Sequence, residues 1–245
     1  MAIRILEASQ RTLVRGPTFI RLLARLTDID VPPPQPSLSD RLSDWIDWTR
    51  AVALSRVLDG KPPAVEPGGP VFDGTEESAY AATRASLGSA IAACLELPAP
   101  TQADAEPAQA DYAIFQQHYL ATQRAMLTAT GRLRGRLRDL LVGLSADTAR
   151  LAELDALMEA VLSPREQALL AAVPALLGAH FERLRPAAQA AADGTPGAAA
   201  DAWLNVFRKD MQGVLLAELD VRFLPLEALL AALRSHSLVP DVQTA

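Results

Sequence analysis

Few side chains in this sequence are of a kind that performs acid–base, nucleophilic or metal chemistry, and their spacing does not assemble them. The three histidines, His118, His180 and His236, stand far apart, without the HExxH spacing that sets two imidazoles on one helical face for zinc. His180 lies among Val173, Leu177, Phe181 and Leu184, which reads as a hydrogen-bonded histidine at the edge of a core rather than as a base or a ligand. Cys94 is the only cysteine, so there is no disulfide framework and no four-thiolate zinc site. Its flanks, AIAACLEL, make it a small buried hydrophobe before they make it a nucleophile. No glycine-rich phosphate loop and no GxSxG elbow occurs. The sequence therefore assigns no catalytic residue, no metal ligand and no cofactor, and it predicts a protein that is not an enzyme.

The sharpest charge feature is RLRGRLRDL, residues 132–140. On a helix Arg132 and Arg136 stack on one side and Arg134 and Arg138 on another, while Leu133, Leu137 and Leu140 face inward. Together with Arg124, and with Arg21 and Arg25 near the N-terminus, these arginines are the candidate contacts for an acidic partner or for nucleic-acid phosphates. The plainer reading sets Glu153, Asp155 and Glu159 of the next helix alongside them in an antiparallel hairpin, as ion-pair partners. A formal net charge of -6 supports it, because duplex binding needs a surplus of positive charge on one face. Arg4, Arg11 and Arg15 add to the basic N-terminal end, where a short helix over 18–26 could meet anionic lipid but reads first as docked on the core.

The elements that position these groups are helices. Half of the residues are hydrophobic and only 5% aromatic, with Ala and Leu dominating and no alternating β-branched runs. The fold class is all-α, a bundle of about seven or eight helices with one long central helix. We divide it into an N-terminal helical region, 1–97, a linker, 98–110, and a C-terminal bundle, 111–240. The strongest signal is residues 198–236, where Trp203, Phe207, Met211, Leu215, Leu219, Phe223 and Leu226 recur at steps of three and four as a core face. Trp203, Phe207, Leu215 and Leu219 are expected against the helices around 111–144 and 163–184. Arg208, Lys209, Gln212, Glu218 and Arg222 are expected on the wet face, and Pro225 is expected to divide the stretch into two helices.

Elsewhere the chain reads as follows. A loose leader precedes Gly16, and Pro32 to Pro36 form an extended spacer. One helix runs from the Ser37 cap to Asp59, with Trp45 and Trp48 in the core. Residues 61–74 form a loop, and a helix over 75–97 buries Tyr80, Thr83, Leu87, Ile91 and Cys94 or Leu95. A hairpin partner capped by Ser145 or Asp147 turns Leu151, Leu154, Leu157, Met158 and Val161 inward. SPREQ, residues 163–167, starts a further helix kinked by Pro174, and a loop occupies 186–197.

The longest fully apolar run, residues 168–179, is short of the ~20 residues that cross a bilayer, and the N-terminus carries no secretory signal pattern. No membrane insertion and a cytoplasmic location are expected. Three segments, GPTFIRLLARLTDIDVP with DRLSDWIDWT, LSPREQALLAAVPALLGAHFERLR, and FRKDMQGVLLAELDVRFLPLEALLAAL, resemble a proteobacterial family defined as a domain of unknown function. That family is similar to products encoded beside MotA-like and OmpA/MotB-like envelope genes, a neighbourhood resembling Zorya-type antiphage defence systems. The resemblance implies a cytoplasmic accessory protein whose partners are products of the same operon, or a second copy, and it supplies no catalytic residues. The sequence thus predicts a non-catalytic helical interaction protein. The other function it offers is nucleic-acid binding, as in sensing phage DNA, through the arginine-rich helix.

Overall fold

The computed structural model describes residues 18–27, 37–60, 72–97, 109–191 and 198–237. Among them every regular element is a helix, the outcome expected of an Ala- and Leu-rich chain. The order is α1 (Thr18–Thr27), α2 (Leu38–Trp45), α3 (Trp48–Asp59), α4 (Thr75–Ala92, prolonged by a 3-10 turn at Ala93–Glu96), α5 (Gln109–Leu144), α6 (Ala146–Leu170), α7 (Val173–Ala191) and α8 (Ala198–Ser237). The leader, the proline spacer and Arg4, Arg11 and Arg15 lie outside the described residues.

The bundle is built on α5 and α8. At 36 and 40 residues they run about 54 and 60 Å at 1.5 Å per residue, and they form the most extensive helix pairing in the molecule. The apolar stripe of α8 is a core face as its periodicity predicts. Phe207, Leu215 and Leu219 are buried and Trp203 is half-buried against Phe181. One end of the core is aromatic, built from Phe115, Tyr119, Phe181 and Phe207, and the other is leucine, built from Leu133, Leu137, Leu141, Leu230 and Leu233. α6 returns along α5 after a capping box at Ser145, while α1 and α4 both pack on α8.

Several expected breaks and starts fail, each at a proline or a missed cap. Pro225 sits inside an unbroken α8; the single amide it removes is offset by buried Phe223, Leu226 and Leu229 on either side. Pro164 likewise sits inside α6, so SPREQ starts nothing, and the chain breaks two turns later at Ala171 and Ala172. Pro174 then occupies the first turn of α7, where an amide hydrogen is dispensable, and α7 runs through Pro186 to Ala191. The helix expected from 37 to 59 is two helices, because Asp47 caps a new start by accepting from the Arg50 amide at 2.8 Å. That cap leaves Trp48 83% exposed, outside the core, with Trp45 half-buried. α5 begins at Gln109, inside the span expected as linker.

In α1 Phe19 is buried and Ile20 faces out; on the α4 side Cys94 is buried and Leu95 is exposed. α6 meets the core with Ala149, Ala152 and Val161, while Leu151 is exposed and Leu154, Leu157 and Met158 are half-buried.

The N-terminal helices share one means of attachment. Arg183 of α7 donates to the Leu26 carbonyl at the end of α1. Arg165 of α6 donates to the Trp45 carbonyl that ends α2, at 3.4 Å, and lies 5.3 Å from that indole's centre. Arg150 of α6 donates to the Gly60 carbonyl at the cap of α3, at 2.9 Å. Arg208 of α8 donates to the Leu97 carbonyl after the 3-10 turn. Each guanidinium thus meets the partly negative end of a helix and satisfies a carbonyl with no intrahelical partner. For α3, which buries no residue, this is a principal hold. Each bond is worth about 1 kcal/mol, so Arg150→Ala/Arg165→Ala is expected to raise hydrogen exchange over residues 38–59 by about 30-fold and leave α8 protection unchanged. Equal exchange in the two proteins over 38–59 would show that α2 and α3 are held by apolar contact instead.

Candidate functional site

α5, α6 and α8 diverge to leave a cleft of about 270 Å³. Its walls are apolar: Leu127 of α5, Leu162 of α6, and Val221, Leu224, Pro225 and Leu226 of α8. Its floor is charged, with Arg134, Glu159, Glu166 and Arg222.

Two ion networks meet there. In the first, Arg134 forks onto Asp155, with Nε at 2.8 Å and Nη2 at 2.6 Å, and its Nη1 lies 3.3 Å from Glu159. Arg138 donates from Nε to Asp155 at 2.6 Å and from Nη2 to Glu159. This is the hairpin pairing the sequence suggests, except that Glu153 stays exposed. In the second, Glu218 accepts from the Tyr119 hydroxyl at 2.6 Å, from Gln123 Nε2 at 3.2 and 3.3 Å, and from Arg222 Nε and Nη2 at 3.0 and 2.7 Å. Arg222 then reaches Glu166 at the cleft with Nη1, at 3.2 Å.

The second network overturns the wet-face placement of Glu218 and Arg222, whose exposures are 1% and 9%. The buried face of α8 is wider than its apolar stripe. Glu218 follows Met211 by seven residues and Arg222 follows Leu215 by seven, so both share the direction of buried positions. Tyr119, an aromatic residue with a polar tip on the buried face of α5, was the signal that a partner had to be inside. Burial, then the Glu218 carboxylate, raises the Tyr119 phenol above its ordinary range, so it remains a donor.

Asp155 gives this geometry a pH signature. Burial opposes its ionisation, but the hydrogen bonds from Arg134 and Arg138 outweigh that and hold its carboxyl below the ordinary 3.8. A folded-state value below the unfolded one gives stability that is complete above the unfolded value and is lost as pH falls through the folded value. Asp155→Asn is therefore expected to lower the melting temperature at pH 7, with the gap to the native protein narrowing below about pH 4. A gap of unchanged size at pH 3 would assign the loss to packing alone.

The structure does not gather the other arginines of interest. Arg124, Arg132 and Arg136 are exposed on α5 and make no ion pair among the described residues. On α1, Arg21 is exposed and donates to the Thr18 hydroxyl, and Arg25 lies 4.0 Å from Asp210. His180 sets Nε2 2.9 Å from Asp210, beside Arg183 and the Phe207 ring; it lines neither this cleft nor the open groove between α2 and α3. Cys94 is buried, which pushes its thiol up to about 11 despite Arg208 nearby. Among the described residues no group of three or more His, Cys, Asp or Glu is placed to hold a metal ion, and no helix is long and apolar enough to cross a membrane.

Fold and site together define an all-helical bundle protein with an apolar-walled, ion-paired cleft. The chain belongs to the family described as Protein of unknown function (DUF3348), whose model matches residues 5–235. No curated protein and no solved structure matches it.

Proposed function

We propose that the chain is a non-catalytic helical interaction protein that receives its partner on the cleft between α5, α6 and α8. The observation that carries this reading is the rim. Leu127, Val221 and Leu224 are 44%, 36% and 59% exposed around a floor whose arginines are already engaged. Leu169 is 72% exposed and follows Leu162 by seven residues, so it prolongs the apolar side of α6 beyond the cleft. Large aliphatic side chains gathered at a concave surface mark binding sites more often than scattered ones do. The nucleic-acid reading is the weaker one, since Arg134 and Arg138 are committed to Asp155 and Glu159, leaving three exposed arginines on α5.

The resemblance to accessory proteins of Zorya-type systems makes MotA-like and OmpA/MotB-like products of the same operon the first partners to test, with a cytoplasmic role in antiviral defence. That part of the proposal rests on the resemblance alone. The experiment is co-purification with those products, comparing the native chain with Leu127→Glu/Leu224→Glu, whose melting temperature should match the native one because both side chains are exposed. Capture by the native chain and loss in the variant is the expected result. Capture of both alike, or of neither, overturns docking at this cleft.

A further inference from the structure

The ions on the cleft floor are unevenly matched. Asp155 and Glu159 face Arg134 and Arg138, two against two. Glu218 and Glu166 share the single guanidinium of Arg222. Glu218 is compensated inside by Tyr119 and Gln123, so the carboxylate left short is Glu166, which lines the cleft with its side chain 39% exposed. Its Oε1 meets Arg222, and its Oε2 takes part in no described hydrogen bond.

Two further residues that line the cleft each carry an acceptor. Pro225 has no amide hydrogen, so the carbonyl of Val221, four residues back, loses its helical partner, and both residues line the cleft. Ser163 lies one turn before Glu166 and also lines it, and its hydroxyl makes no hydrogen bond among the described residues. The floor therefore offers acceptors and a surplus negative charge beneath aliphatic walls, while the donors of Arg134 and Arg222 are directed at carboxylates. A carboxylate or phosphate guest would meet the like charges of Glu159 and Glu166, which the single uncharged O–H of Ser163 does not offset. A guanidinium would want both oxygens of one carboxylate in its plane, and Glu166 has one to give. An ammonium, with three N–H bonds in separate directions on an aliphatic stem, matches what is there.

We infer that the cleft takes a lysine side chain of the partner, its stem against Leu127, Leu162 and Leu224 and its ammonium at Glu166, Ser163 and the Val221 carbonyl. This rests on the interaction reading and names the chemistry of the residue that anchors it. The test uses n-butylammonium as the probe, against n-butyrate and n-propylguanidinium, followed by the amide signals of the full chain in solution. Shifts at Ser163, Glu166 and Val221 with n-butylammonium, little or no change with the other two, and affinity at least about fivefold weaker in Glu166→Gln are expected. Ser163→Ala should weaken the same probe and leave the fold intact. Equal binding of n-propylguanidinium or n-butyrate, no binding of n-butylammonium, or full affinity in Glu166→Gln overturns the inference. Partner capture that is lost in Leu127→Glu/Leu224→Glu but kept in Glu166→Gln also overturns it and leaves the interaction reading standing. Failed capture with Glu166-dependent amine binding removes the interaction reading instead, and with it the assignment of the ammonium to a partner.

Discussion

Glu218→Ala is expected to be among the most damaging single substitutions in this chain, although a glutamate on a long helix is ordinarily a surface residue. Removing the carboxylate strips Arg222 of two hydrogen bonds, at 3.0 and 2.7 Å, and leaves the Tyr119 hydroxyl and Gln123 amide facing an apolar gap. Breaking one side of a buried ion pair costs about 3–5 kcal/mol, because the charge left behind has lost both water and partner. Glu166 still stands 3.2 Å from Arg222 and keeps the loss toward the lower figure. At about 2–4 °C per kcal/mol for a chain of this size, the melting temperature should fall by roughly 6–12 °C. The exposed Glu153→Ala should change stability by no more than about 0.5 kcal/mol. Replacing the pair together, Glu218→Leu/Arg222→Leu, should cost less than Glu218→Ala, since no buried ion is then orphaned. Glu218→Ala and Glu153→Ala melting alike would place Glu218 in water and dissolve the network.

How far the sequence foretold this depends on which force decides each residue. The α8 stripe, the α5 stripe, the Ser37 and Ser145 caps and the burial of Cys94 follow from apolar spacing and local hydrogen bonding, and they are legible. The pairing of Arg134 and Arg138 with Asp155 and Glu159 was legible too, because the α5–α6 hairpin fixes which faces meet. Glu218 and Arg222 are harder to place: their spacing from Met211 and Leu215 puts them on the buried side, but what makes a buried charge tolerable there is Tyr119 and Gln123 on α5, partners that the α8 pattern does not report. Prolines misled in the opposite direction. Pro164 and Pro225 cost a hydrogen bond each, but contacts on both sides outweigh that loss. The cleft itself was invisible, since its acceptors depend on how three helices diverge.

The neighbouring residues Val206 and Phe207 test the packing of α8 most directly, because the helical step of about 100° between them turns one side chain to water and the other into the core. Phe207 is fully buried and Val206 is 47% exposed. The Phe207 ring makes edge contacts with Phe181 at 4.9 Å, Phe115 at 5.2 Å and Tyr112 at 6.2 Å, joining α7 and α5 to α8 through one side chain. Each such contact adds about 0.5–1.5 kcal/mol to the area buried, and the surrounding rings come from two other helices, α5 and α7, that cannot both close on a void. Phe207→Ala is therefore expected to cost about 3–5 kcal/mol, with loss of the near-ultraviolet signal from the aromatic end of the core. Phe207→Leu, which keeps most of the volume but not the edge contacts, should fall between the native chain and Phe207→Ala. Val206→Ala should lie within about 0.5 kcal/mol of native. If Phe207→Ala and Val206→Ala melt together, the aromatic end is not a packed core, and the stripe on α8 would have to be an outward-facing surface instead.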